Sequence, residues 1–163
     1  MKLALLACLS VGALSLGAAE GGALVQATDT KWGEHPFVKG AQLAVQSGDP
    51  SKGPAVMLMK FPKGMTIPAH THTSDETVTV LAGRAVFGEG ESIDVTKGTS
   101  AGAGSYLVIP GKRPHWAVVK EELIFTVTMN QAADFHLCAP GRLQSPPAGW
   151  LENGVSVVRE LGR

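Results

Sequence analysis

Two histidines, His70 and His72, stand two residues apart, and Glu76 follows four residues after His72. A third histidine, His115, ends the stretch Gly104 to His115, GSYLVIPGKRPH. Three imidazoles and one carboxylate can coordinate a divalent transition metal, and manganese, iron, nickel, copper and zinc all suit this donor set. The single carboxylate leaves a net charge near +1 on such an ion. Six-coordination would keep about two positions open for water, dioxygen or a chelating substrate. A site of this kind can polarise an oxygen, acidify water or bind dioxygen if the metal is redox-active.

The spacing requires particular elements. On a strand, residues i and i+2 point to one face, so His70 and His72 are expected to project together into one interior. From Glu76 the chain alternates: Glu76, Val78 and Val80 share a face, with Thr77 and Thr79 opposite. That puts a carboxylate on the apolar side, where it needs a cation or hydrogen bonds. His115, Ala117 and Val119 likewise share a face. The third imidazole is therefore expected to point inward as well.

These residues also carry a family resemblance. Gly64, five residues, His70-x-His72, three residues, Glu76, six residues and Gly83 resemble the first motif of the cupin superfamily. Gly104, five residues, Pro110 and then His115 resemble the second. The resemblance covers roughly residues 40 to 130. It implies an all-β, single-domain double-stranded β-helix (a jelly-roll-like barrel) with a metal held inside by His70, His72, Glu76 and His115. The second motif departs twice. Its glycine is Gly111, directly after Pro110 rather than one place later, and Val119 stands where the family often has Asn. The first departure is expected to alter only the turn. The second removes a pocket hydrogen bond without touching a ligand.

Other polar residues near the motifs invite weaker assignments. Asp75 and Thr73 flank the ligands and are expected to shape a loop more than to touch substrate. Arg84 is expected to be a solvated rim charge. Tyr106 and Trp116 flank the second motif and are expected to pack. His35 and His136 lie outside both motifs and are not assigned to the metal. No nucleophile triad or phosphate-binding loop is recognisable. No catalytic residue can be named beyond Glu76, which could act on the reaction as well as on the metal.

The 163 residues suit one domain. Lys plus Arg balances Asp plus Glu at 14 each, so no basic surplus points to nucleic acid or an anionic membrane. Residues 1–19 read as a secretory signal peptide: Lys2, an apolar run from Leu3 to Leu16, then the small residues Gly17-Ala18-Ala19. The run is short for a spanning helix. Its removal takes Lys2 and Cys8, leaving 13 basic against 14 acidic side chains and Cys138 as the sole thiol. No intrachain disulfide is then possible, and Cys138, between Leu137 and Ala139, reads as a small buried hydrophobe. A periplasmic or secreted location follows, without a stable membrane span. The expected partner is a small molecule, with a homodimer as a further possibility.

The chain between the motifs is punctuated by glycine and proline. Residues 20–39 read as an N-terminal arm. Ala41, Leu43 and Val45 are expected on the inner face of a strand, and Met57, Met59 and Phe61 on the inner face of the next. The motif strand is expected to end at Gly83, with a new strand from Arg84 to Phe87. Ala101 to Gly104 reads as a flexible lead into an apolar strand, Tyr106 to Ile109. Leu123, Phe125, Val127 and Met129 alternate in the last clear strand. Residues 131–163 read as an extension packing on the barrel or a partner, with Val155 to Val158 as an edge strand and Trp150 and Leu151 as a cover. Many short strands without an amphipathic helix point to an all-β sandwich or barrel.

Overall fold

A computed structural model of the chain describes residues 24–139 and 142–144. The expected signal peptide, the Val155 to Val158 strand and the cover by Trp150 and Leu151 lie outside the described residues. Among the described residues, ten strands carry the fold: β1 (Gly33–Glu34), β2 (Gln42–Gly48), β3 (Ala55–Phe61), β4 (Thr66–Thr71), β5 (Glu76–Glu89), β6 (Thr99–Gly102), β7 (Tyr106–Ile109), β8 (His115–Met129), β9 (His136–Ala139) and β10 (Arg142–Gln144). The helical content among the described residues is one short 3-10 turn, Ala27–Asp29. The fold is all-β, as the sequence suggests.

All strand pairings are antiparallel, in the order β1-β2-β3-β8-β4-β9-β10, with β5 bridging β6, β7 and β8. The two long strands β5 and β8 form a ribbon, and the sheet curls around its inner face. The core lies within that curl. Met57, Met59 and Phe61 of β3 face Val78 and Val80 of β5 and Leu123, Phe125, Val127 and Met129 of β8, all buried. These are the alternations the sequence displays. Each inward residue takes apolar surface out of water, worth roughly 1.5–3 kcal/mol for a large side chain.

The structure corrects four details of the strand reading. The first motif is split between two strands: β4 ends at Thr71, a turn follows, and Glu76 opens β5. Gly83 does not end a strand. β5 runs through it for 14 residues, with register shifts on either side. Before Gly83 the inward residues are even-numbered (Glu76, Val78, Val80), and after it odd-numbered (Ala85, Phe87). An irregularity of this kind moves side chains to the other face and bends the ribbon. Ala101 and Gly102 are no flexible lead, because Thr99–Gly102 pairs with Arg84–Phe87 as β6, and only Ala103 and Gly104 form a turn. In β2, a bulge between Val45 and Ser47 breaks the alternation, and Ala44 is buried while Leu43 and Val45 are only half-buried.

The sheet also extends past the expected limits of the barrel. β1 lies in the arm and pairs with β2, while β9 pairs through Leu137 and His136 with His70 and Thr71 of β4. Phe135, just before β9, is buried. Cys138 on β9 is half-buried, with burial pushing its thiol pKa up.

Candidate metal centre

The four motif residues arrive from three strands. His70 sits on β4 directly opposite His115, the first residue of β8. His72 lies one residue beyond β4, and Glu76 is the first residue of β5. All four are buried, at 5–8% exposure, and one ligand atom from each lies within 4.8 Å of every other. Glu76 Oε2 is 3.2 Å from His115 Nε2 and 3.4 Å from His72 Nε2.

Each imidazole is anchored by its other nitrogen. His70 Nδ1–H donates to the Pro68 carbonyl at 2.7 Å, His115 Nδ1–H to the Arg113 carbonyl at 2.9 Å, and His72 Nδ1–H to the Asp134 carbonyl. A carbonyl can only accept, so Nδ1 carries the hydrogen and Nε2 keeps its lone pair. Three such lone pairs are left for the interior. His72 Nε2 and Glu76 Oε2 are buried with no hydrogen-bond partner. Buried polar atoms are rarely left so, because desolvation costs about 1–3 kcal/mol each. A cation held among the four would satisfy both, and backbone anchoring of the distal nitrogen is the usual support of a metal-bound imidazole. The residues fit a divalent transition metal.

For His70 and Glu76, protonation favours the same use. Burial, reinforced by the neighbouring His115 and His72, lowers the His70 pKa to about 3, so this imidazole is neutral. Burial alone would raise the Glu76 pKa, but His115 and His72 beside it overcome that and hold the carboxyl well below its usual range. Burial also works against the His72 cation, yet Glu76 and then Asp134 raise its pKa. A neutral imidazole and an ionised carboxylate are the forms that bind metal.

Two turns hold the ligands in place. Asp75 Oδ1 accepts from Gly111 N at 2.8 Å, and the His72 carbonyl accepts from Lys112 N at 2.7 Å. Asp75 and Thr73 therefore shape the loop, Thr73 by donating its N–H to Asp134 Oδ1 at 2.8 Å. The shifted glycine has a cause: a Cβ on Gly111 would lie 2.5 Å from the Thr73 carbonyl oxygen. The left-handed backbone sits one place later, on Lys112 at φ 64°. There a non-glycine residue bears a cost of roughly 1–2 kcal/mol.

The remaining residues divide. Arg84 pairs with Glu121 at 3.4 Å on the surface, away from the cluster. Trp116 is buried against Gly88, where a Cβ would meet its ring at 2.1 Å, and donates Nε1–H to the Glu89 carbonyl. Tyr106 is not a packing residue, being 73% exposed on β7. His136 turns to Asp134 Oδ2 at 3.0 Å. His35 is not in the cluster but lines the same cavity.

Sequence reasoning missed Asp134 and Phe135. Phe135 stacks on His70, ring centres 4.0 Å apart and 14° from parallel, and on Phe37 at 4.8 Å. Asp134 works largely through its backbone carbonyl, which no residue-type pattern reveals. The four ligands open into a cavity of about 670 Å³, counting the space open to solvent at its mouth.

Comparison with known proteins gives a consistent picture. The ChrR Cupin-like domain family matches residues 20–133. An RmlC-like cupin protein from Ralstonia eutropha is similar, with 20% identity, a TM-score of 0.58, and coverage of 87% of this chain and 86% of that one. An RmlC-like cupin from Shewanella frigidimarina has 17% identity and a TM-score of 0.55, covering 69% of this chain and 93% of that one. The DMSP lyase DddQ from Ruegeria pomeroyi has 19% identity and a TM-score of 0.51, covering 63% of this chain and 57% of that one. At these identities the likeness carries the double-stranded β-helix fold alone. No curated protein matches the chain.

Proposed function

This chain belongs to the ChrR cupin-like domain family, and from that premise we propose that it is an exported metal-binding cupin acting on a small oxygen-bearing molecule. The reaction class we favour is dioxygenase-type oxidation. One observation carries the reading: three anchored imidazoles turn their Nε2 atoms, with a buried carboxylate, towards one point beneath a cavity. His70, His72, Glu76 and His115 would hold the metal. When bound, it would supply Lewis acidity and, if redox-active, electron transfer to or from a substrate. The protein's part is to fix the ligand rings through Pro68, Asp134 and Arg113, to exclude water with the apolar wall, and to lower the site's positive charge with Glu76.

A non-redox metal-dependent lyase is the second reading, because the set of structural neighbours includes a protein described as a lyase. Non-catalytic capture of a metabolite or of the metal is the third. Glu76→Gln separates catalysis from capture. It keeps the side chain's shape and removes its charge, so metal affinity is expected to fall on the order of 10-fold or more. In an enzyme, turnover per bound metal also falls at restored occupancy, because the carboxylate sets charge or takes a proton during reaction. Turnover and metal content are measured on the same sample, with dioxygen consumption distinguishing oxidation from lyase chemistry. Unchanged turnover per metal excludes a chemical role for Glu76. An absence of turnover in the parent protein, across several metals and substrate classes, favours capture.

Export rests on Lys2, the apolar run and Gly17-Ala18-Ala19. Mass spectrometry of the mature protein is expected to place its N-terminus at Glu20 or within a few residues. A mature chain retaining Met1 would overturn export. No helix among the described residues is long and apolar enough to cross a membrane.

A further inference from the structure

The four ligating groups do not exhaust the polar atoms of the cavity. His35, on the loop after β1, lines it as well. Its Nδ1 accepts two backbone hydrogens, from Phe37 N at 3.2 Å and Val38 N at 3.1 Å. A nitrogen that accepts from N–H groups has no proton of its own, so the neutral ring carries its hydrogen on Nε2. Edge contacts with Phe61 at 5.4 Å and Phe37 at 6.2 Å between ring centres hold the ring in place. Among the described residues, no recorded hydrogen bond uses Nε2. Burial, with His72 nearby, lowers the His35 pKa to about 4, which keeps the ring neutral near pH 7.

The rest of the lining narrows what this N–H can meet. Among the described residues, no Lys, Arg, Ser, Thr, Tyr, Asn or Gln lines the cavity. The Trp116 N–H is committed to the Glu89 carbonyl, and both Asp134 carboxylate oxygens are taken, by Thr73 N and by His136. The walls are Met57, Met59, Phe61, Phe125, Val127 and their neighbours. A half-buried side-chain donor that no hydrogen bond among the described residues takes, on an apolar lining beside the four-residue cluster, is an arrangement for a ligand that is apolar over most of its surface and bears an oxygen acceptor at one end.

We propose that His35 is a ligand-binding residue: its Nε2–H donates to a carbonyl, phenolate or carboxylate oxygen of a small, mainly apolar molecule whose polar end faces the His70, His72, Glu76 and His115 cluster. Polyols and sugars are excluded, because each buried hydroxyl without a partner costs free energy. The proposal rests on the reading of the cluster as a metal site for a small-molecule ligand, and narrows that ligand's class.

The test uses benzoate as probe and full-length zinc-loaded protein, with calorimetric titration and metal analysis on each sample. His35→Asn is the informative variant. Its side-chain oxygen can still accept from Phe37 N and Val38 N, but it has no donor at the Nε2 position. Benzoate affinity is expected to fall about tenfold, as for one lost hydrogen bond to a charged acceptor, with zinc content unchanged. His35→Gln, whose amide nitrogen reaches towards the Nε2 position, should recover part of the loss. Glucose should show no binding to the parent protein. Equal benzoate affinity in His35→Asn, no benzoate binding by the parent, or loss of zinc in His35→Asn would each overturn the proposal. If the parent takes no metal, the metal reading fails by itself. The same benzoate titration on metal-free protein then still reads His35, and a tenfold difference there retains it.

Discussion

Replacing His70 and His72 together by Ala should abolish metal binding. The double variant leaves Glu76 and His115, two donors where the intact site offers four within 4.8 Å. Two donors on a rigid wall hold a divalent ion far less tightly than four, and the expected loss is at least 1,000-fold, about 4 kcal/mol. The barrel itself should survive. Its inward residues on β3, β5 and β8 form a core that does not depend on the ligands. The melting temperature of the metal-loaded parent should exceed that of the variant, because a ligand bound only to the folded state adds about 4 kcal/mol at 1,000 times its dissociation constant. Elemental analysis after dialysis, with thermal melts on the same samples, checks both parts. Full occupancy in the double variant would defeat the assignment of these ligands. An unfolded metal-free parent would show instead that the metal is part of the fold.

Gly83→Ala should be the most damaging single methyl on the β5–β8 ribbon. Gly83 has φ 78°, and a Cβ there would lie 1.9 Å from the Glu122 carbonyl oxygen and 2.7 Å from its carbon. Those are backbone atoms of the paired strand, which cannot rotate aside. The left-handed conformation alone costs roughly 1–2 kcal/mol for a residue with a Cβ. Parting the ribbon to relieve the contact raises the expected destabilisation to about 3 kcal/mol or more, a large share of the ~5–15 kcal/mol typical of a domain. Gly64→Ala is the control: its φ is 85°, but no atom lies within 4 Å of the added carbon. It should cost only the conformational part. Urea unfolding of the two variants reads the difference, and equal midpoints would mean that the ribbon yields at Gly83 without loss.

Much of this architecture was legible from strand parity. Glu76, Val78 and Val80 point inward, as do His115, Ala117 and Val119, because a strand buries alternate residues. The clustering of His70, His72, Glu76 and His115 was legible from the motif spacing, although His72 lies one residue past the end of β4. Gly83 misled because glycine signals a stop as well as a bend, and only its pairing with β8 shows which. Residues Thr99–Gly102 are small and polar, and their strand exists because Arg84–Phe87 offers an edge. The hold on His72 comes from a backbone carbonyl, an atom every residue possesses. The tautomer of His35 is set by two amides in a turn, which spacing does not reveal.

The contact between His72 and Asp134 spans 62 residues, and Asp134 lies one position past the stretch matched by the family. Contacts between distant parts of a chain close late, after local pairings have formed. The His72 ring therefore gains its fixed orientation only when the segment leading into β9 has docked on β4. In terms of the order of synthesis, the carbonyl that aligns His72 comes after every residue of the cluster. A chain emerging N-terminus first presents all four ligands before it presents the group that aligns one of them. During that interval the imidazole can turn to other partners.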